Sequence, residues 1–519
     1  MTSAALAALL LGLAAARADE TCLSPYMPKI MGQEDYVYVW TLGIEGVGDG
    51  SDKLVAIGAN PADAAHYGKV VSSVSVGGRH EAHDAGFTDD RRYLWAGGLD
   101  DSMIWVFDVA PDPAHPKLVR TIATFVKDSG GVVGPHTFFA LPGRMLITGL
   151  SNSKDHGGRT ALVEYDNDGK FIRTLWLPDK APYGYDARVQ PRLNRMLTSS
   201  FTGWNNYMAP IGKVMNDAQA VKRFGNTMVV WDFHARKPIQ TLDVRGAPLE
   251  IRWALGPRHD YAFTTTALTS KLWLVEQQDD GSFTASAVAD IANPMYIPLP
   301  ADFSLSADDR FLFVGTFMDG TCRVYDVSDP HEPKLVHERK IGSQVGMVSE
   351  TWDGKRVYFT SSLLSNWDKK GKDNEQFLKA YAWDEKQLTP LFAVDFLKER
   401  LGRPHSMHFG QERFYKNQIY GGEAGRPPAV RRGRSGRARL REAGEQVAQV
   451  GGVRRVAQHR GHAEDLLDRA QRRAVGVVDG VLVPPALGLG REHDHADRAV
   501  AGLGLVPGDE DGAVVGVGP

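Results

Sequence analysis

The sequence predicts an all-β chain folded as a seven-bladed β-propeller, and three observations predict it. One segment returns in a second copy. Asp89 to Val119 reads DDRRYLWAGGLDDSMIWVFDVAPDPAHPKLV, and Asp308 to Val336 reads DDRFLFVGTFMDGTCRVYDVSDPHEPKLV. The equivalent prolines, Pro116 and Pro333, lie 217 residues apart, which accommodates four units of about 54 residues. Weaker copies fill the gaps, and each alternates apolar and polar residues around Asp, Gly or Asn turns, the period of antiparallel strands rather than helices. Residues 19 to 420 hold about seven such units, and radial repetition of four-stranded sheets is the arrangement that leaves only short, protected edges. A sandwich does not explain the spaced copies; six or eight blades are the neighbouring solutions.

The elements follow in chain order. Residues 4 to 16, AALAALLLGLAAA, form 13 small or apolar residues, too few to span a bilayer as a helix. They lead into Ala16-Arg17-Ala18, an A-x-A cleavage pattern, so residues 1–18 read as a signal peptide, without the basic n-region such peptides usually carry. For a bacterial chain that predicts a periplasmic mature protein. The propeller occupies 19–420. Its weaker repeats start at Thr160, Asn226, Ser270, Asp353 and Leu378. Met208 to Phe224 interrupts the strands with a helical pattern, an excursion at one face. From 421 to 519 the chain has no Phe, Tyr, Trp, Lys, Ile, Met, Asn or Thr. Without aromatic side chains such a segment fills a core poorly. It reads as a GC-rich gene translated out of frame, or as a disordered tail, and is not expected to form a blade. His493 and His495 within it are incidental.

Composition narrows the function. With 60 Lys plus Arg against 63 Asp plus Glu, the net charge of −3 gives no basic footprint for nucleic acid. No later stretch is apolar enough for a membrane span. Two cysteines, Cys22 and Cys322, permit one disulfide at most. Cys322 sits in a strand pattern and reads as core; Cys22, near the mature terminus, is a candidate reactive thiol or soft metal ligand. No Walker or nucleophile-elbow motif is present. Trp204, Asn206 and Tyr207 are candidates to line a cavity, or simply a turn with core aromatics.

Histidines carry the chemistry. GGRHEAHDAGF supplies His80, Glu81, His83 and Asp84; GGVVGPHTFFA supplies His136; LGRPHSMHFG supplies His405 and His408. Their Gly- and Pro-rich surroundings place them on turns. A propeller gathers equivalent strand ends around its axis, so blades one, two and seven can share one metal centre. Imidazoles with a carboxylate suit copper, zinc or iron, copper heading the affinity order. The competing reading is of unrelated turn histidines; Glu81 and Asp84 can also orient an imidazole instead of ligating.

At this point the sequence resembles the selenium-binding protein family, and within it the bacterial methanethiol oxidases. The resemblance is carried by ETCLSPYMPKI, QEDYVYVWTLGIEGVGDGSDKL, GGRHEAHDAGFTDDRRYLWAG, GGVVGPHTFFALPGRMLITGLSN, DHGGRTALVEYD, YGYDARVQPR, TSSFTGWNNYM, KRFGNTMVVWD, GAPLEIRWALGP, TTTALTSKLWLV, WDGKRVYFTSSLLSNWDKKG and LGRPHSMHFG, in that order over about residues 19–420. It implies a copper-binding propeller that converts methanethiol, O2 and water to formaldehyde, hydrogen sulfide and hydrogen peroxide in the periplasm. Carried onto this chain, the family's site histidines give His83, His136 and His405 as ligands, with His408 beside them and Cys22 as a redox participant. The family's second histidine of EAHH is Asp84 here, which predicts a weaker hold on copper(I) with His80 as a substitute. The cysteine that binds selenium in human-like members has no match. The alternative class is a non-enzymatic copper or thiol carrier, or an interaction scaffold, since propellers serve many functions. Homo-oligomerisation is left open by the sequence.

Overall fold

The computed structural model describes residues 23–30, 32–292 and 298–415. The leader, Cys22 and the 421–519 tail with His493 and His495 lie outside the described residues. Within them, 28 strands form seven four-stranded antiparallel sheets arranged as a β-propeller. In six blades the strands run consecutively from the axis outward. The seventh, order Arg403–Gly410, Tyr36–Leu42, Lys53–Gly58, Val70–Ser75, takes its innermost strand from the far end of the chain. Tyr38 pairs with His408 and Val39 with Met407 in that closure. The closing strand therefore precedes the compositional break.

Burial follows position in the blade. The innermost strands Ala82–Phe87 and Pro300–Leu305 are buried at every residue, whereas the outermost Lys117–Ile122 and Lys334–Lys340 alternate or are exposed. Among the described residues seven apolar clusters fill the body, most of them spanning more than one sheet; one unites Trp95, Ile104 and Val106 with Phe138, Ile147 and Val163 of the next sheet.

The recurrent acidic turn is built by a hydroxyl. Thr88 Oγ1 donates to Asp90 (2.7 Å), Ser306 Oγ to Asp308 (2.6 Å) and Thr351 Oγ1 to Asp353 (2.7 Å), each tightening the hairpin between a blade's first two strands. The Asp-Val ending of the copied segments is structural too. Asp108 pairs with Tyr93 and accepts from Arg92 (3.0 Å); Asp326 pairs with Phe311 beside Arg310. These two blades are four apart, as the proline spacing requires.

The excursion is helical, with short helices Trp204–Tyr207, Ile211–Met215 and Ala218–Val221, the last capped by the Asp217 carboxylate on Gln219 N (2.8 Å). It packs Tyr207, Val214, Ala220 and Phe224 against Phe201, Leu363, Leu364 and Trp367. Trp367 Nε1 donates to the Ala209 carbonyl (2.9 Å), tying excursion and loop together. No helix among the described residues is long and apolar enough to cross a membrane.

Candidate functional site

Three innermost strands from three consecutive blades, Arg403–Gly410, Ala82–Phe87 and Val132–Leu141, bring His405, His83 and His136 together. The His83 ring lies 3.9 Å from that of His405, stacked at 22°, and 4.9 Å from that of His136. Contrary to the sequence expectation of turns, all three are buried strand residues. The glycines and prolines beside them mark irregular pairing inside strands: register shifts fall between Ala82 and Ala85 and between Pro135 and Phe138.

Burial is the leading cause of the site's electrostatics. It holds His83 well below the usual imidazole range, with the neighbouring rings of His405 and His136 adding to the effect. His136 is pushed down to about 3 and His405 to about 4 by the same desolvation. All three are neutral at physiological pH, the form that ligates metal. His405 Nδ1 shares a hydrogen bond with the Ser362 carbonyl (2.7 Å) and His136 Nδ1 with Thr137 Oγ1 (3.2 Å). His83 Nδ1 is buried without a partner.

His83 borders a cavity of about 20 Å³ walled by Leu99, Leu150, Leu249, Leu299, Leu363, Leu364 and Trp367, with Tyr185 and Tyr207 also in its lining. That loop is anchored to the His83 strand by Glu81, whose carboxylate accepts from Ser365 N (2.6 Å) and Oγ (2.5 Å). Glu81 takes a left-handed backbone (φ 58°), and burial raises its carboxyl to about 7. It positions the wall and does not face the imidazoles.

The other predicted residues lie elsewhere. Asp84, one residue on from His83 in an extended strand, turns the opposite way. Its Oδ1 accepts from Ser406 Oγ (2.9 Å) and Ala85 N (2.9 Å), and it lines an axial channel with Arg188, Glu250, Arg252, Asp302 and His408. His408 shares this channel, its Nε2 against the Ala85 carbonyl (2.9 Å). His80 has both ring nitrogens engaged, with Asp101 (2.5 Å) and the Gly77 carbonyl (2.7 Å), and packs on Trp105. Cys322 is a buried core thiol pushed up by desolvation. Within these irregular stretches His83 lines the leucine-walled cavity while Asp84 and Ser406 line the channel, which is why adjacent ligating residue types do not form one cluster.

Sequence reading missed Tyr185, whose ring lies 4.1 Å from that of His136, and the charged channel itself. Arg188 binds Asp186 (2.9 Å) and Glu250 (3.2 Å); Arg252 binds Glu250 (2.8 Å) and Asp302 (2.8 Å). The signal was an acid two residues before an arginine, in Asp186-Ala-Arg188 and again in Glu250-Ile-Arg252.

As a metal site the trio fits by its donors: neutral imidazoles in a dry enclosure, one with an unpartnered nitrogen. The stacked rings are not a preformed coordination shell, and no group of three His, Cys, Asp or Glu among the described residues stands in one.

Known proteins share this sequence and this fold. The 56 kDa selenium-binding protein family matches residues 16–411, ending one residue past the closing strand. A methanethiol oxidase of Ruegeria pomeroyi is 59% identical over 414 residues, 77% of this chain and 95% of that protein. A methanethiol oxidase of a Hyphomicrobium species is 56% identical over 399 residues, 76% of this chain and 91% of that protein. The crystal structure of a hypothetical selenium-binding protein from Sulfolobus tokodaii shares the fold, with a TM-score of 0.63 at 23% identity over 73% of this chain and 94% of that one.

Proposed function

The chain belongs to the 56 kDa selenium-binding protein family, and from that premise we propose that it is a periplasmic, copper-dependent methanethiol oxidase. The observation that carries this reading is a set of three buried neutral imidazoles, one of which, His83, has an unpartnered Nδ1 and borders a small apolar cavity. The identity of 59% and 56% with two bacterial methanethiol oxidases supports it. The leader ending Ala16-Arg17-Ala18 supports export.

His83, His136 and His405 would hold the copper. When bound, copper supplies the one-electron chemistry that couples thiol oxidation to O2 reduction. The chain supplies the rest. The Ser362 carbonyl would hold the His405 ring in orientation and Thr137 that of His136. The leucine wall takes a methyl group and excludes bulk water. The neutral imidazoles accept no proton easily at such depressed pKa values, so they act as donors of lone pairs, not as bases. In the overall reaction methanethiol, dioxygen and water, in equal amounts, give formaldehyde, hydrogen sulfide and hydrogen peroxide, also in equal amounts. The carbon is oxidised by two electrons and dioxygen takes up both, so the reaction balances without a further reductant.

Purified protein should contain copper and consume O2 only when methanethiol is added, yielding formaldehyde and sulfide in equal amounts. Copper retention with no thiol-dependent O2 uptake would instead favour a metal or thiol carrier.

A further inference from the structure

Two residues that line the histidine cavity each carry a buried polar atom without a protein partner, His83 its Nδ1 and Tyr207 its Oη. An unpaired buried hydroxyl is destabilising, and phenylalanine would avoid it while keeping the ring. The backbone carrying Tyr207 is firmly held. Asn206 donates to Thr202 Oγ1 (2.9 Å) and to the Ala220 carbonyl (2.8 Å), and Thr202 Oγ1 donates to the Arg223 carbonyl (2.9 Å). The hydroxyl stands over Gly134, two residues before His136. A Cβ on Gly134 would sit 2.6 Å from Tyr207 Oη, and Gly134 has φ +67°. The glycine thus leaves the room that the hydroxyl occupies.

We propose that Tyr207 is a substrate-contacting residue, its hydroxyl donating a hydrogen bond to the polar atom of a small ligand whose apolar part lies on the leucine wall and which meets His83. Resting on the oxidase reading, that atom is the thiol sulfur, and the donor is strongest toward a thiolate. Burial raises the Tyr207 pKa, so the phenol stays protonated and remains a donor. The residue comes from the helical excursion, so this excursion contributes chemistry to the site as well as covering it.

The test is Tyr207→Phe, read first by anaerobic calorimetric titration with methanethiol and then by O2 uptake. The expected result is a Kd raised about tenfold and kcat/KM lowered 10- to 100-fold, with copper content unchanged and thermal stability equal or higher. Kd and kcat/KM both within twofold of the parent would overturn the proposal and leave the oxidase reading standing. If the parent binds methanethiol without oxidising it, the oxidase reading fails and Tyr207 is judged on Kd alone. If the parent does not bind methanethiol at all, both fall.

Discussion

The histidine pocket and the axial channel are built from the same innermost strands, one residue out of phase, and they are electrostatic opposites. His83, with the His405 ring stacked on it, faces a dry cavity walled by leucines; Asp84 and Ser406, their neighbours, face Arg188, Arg252, Glu250 and Asp302. Burial acts on both sides against charge, lowering the imidazoles and raising Asp84 to about 6 and Asp302 to about 7. In the channel, burial also pushes Glu250 upward, but Arg252 and Arg188 outweigh it and hold it ionised. In the pocket the balance falls the other way: the Asp186 carboxylate raises His136, but burial outweighs it and holds the ring neutral. One face of the strand is therefore equipped to keep charge, the other to keep three bases neutral, and only the second suits a metal.

The largest effect that can break this contrast is loss of the metal. His83→Ala, His136→Ala and His405→Ala should each reduce bound copper below about a tenth of the parent value and thiol oxidation at least 100-fold. His408→Ala, on the channel side, should keep its copper. Metal analysis with circular dichroism as a folding control reads this directly; two of the three pocket variants retaining full copper while folded would end the assignment.

Stability should divide the other way. Arg252 joins Glu250 and Asp302 while 5% exposed, so Arg252→Met leaves two buried carboxylates short of a partner. Breaking a buried pair from one side costs about 3–5 kcal/mol. For a body this large that is a fall in Tm of roughly 4–6 °C, taking unfolding entropy as about 2 cal/mol/K per residue. Copper content should not change. A Tm within 1 °C of the parent would show that the channel relaxes or hydrates freely.

The pH response sharpens the same contrast. His136 and His405 titrate near 3 and 4 when folded, against about 6.5 when unfolded, so across that interval the unfolded chain binds more protons and the pocket loses stability as pH falls. Asp84 and Asp302 titrate near 6 and 7 when folded, against about 3.9, so the folded chain binds more protons and the channel loses stability as pH rises. The two contributions oppose between about pH 4 and 6.5. Asp302→Asn should steepen the gain of Tm with pH over that range by a few degrees, and His136→Gln should flatten it. The same slope in both variants and the parent would contradict the opposition.

How legible this was depends on periodicity. The blades were readable because a hydroxyl–aspartate turn and an Asp-Val strand end recur where geometry needs them, at Thr88 and Asp108 and again at Ser306 and Asp326. The convergence of His83, His136 and His405 was readable from their segments, but their setting was not: glycine and proline signalled turns, while the chain uses them as irregularities within buried strands. Tyr185 and the Leu363–Trp367 wall were not readable, since an apolar residue in a strand or loop does not announce which cavity it closes. The channel setting of Asp84 was not readable, since neither its place beside His83 nor its match to the family's second histidine of EAHH says which cavity it lines.

That last point reverses the expectation for Asp84, the smallest effect here. As a ligand, an aspartate in place of histidine would weaken the hold on copper(I), which prefers softer donors. Yet the Asp84 carboxylate accepts from Ser406 and Ala85 and lines the channel, not the imidazole cavity. A histidine at this position would inherit the strand's direction and face Arg188 and His408. Asp84→His should therefore leave copper(I) affinity within twofold in a chelator competition, while altering the channel's titration near pH 6. A gain of tenfold or more in copper(I) affinity would show that residue 84 reaches the metal after all, and that the two faces of the strand are not independent.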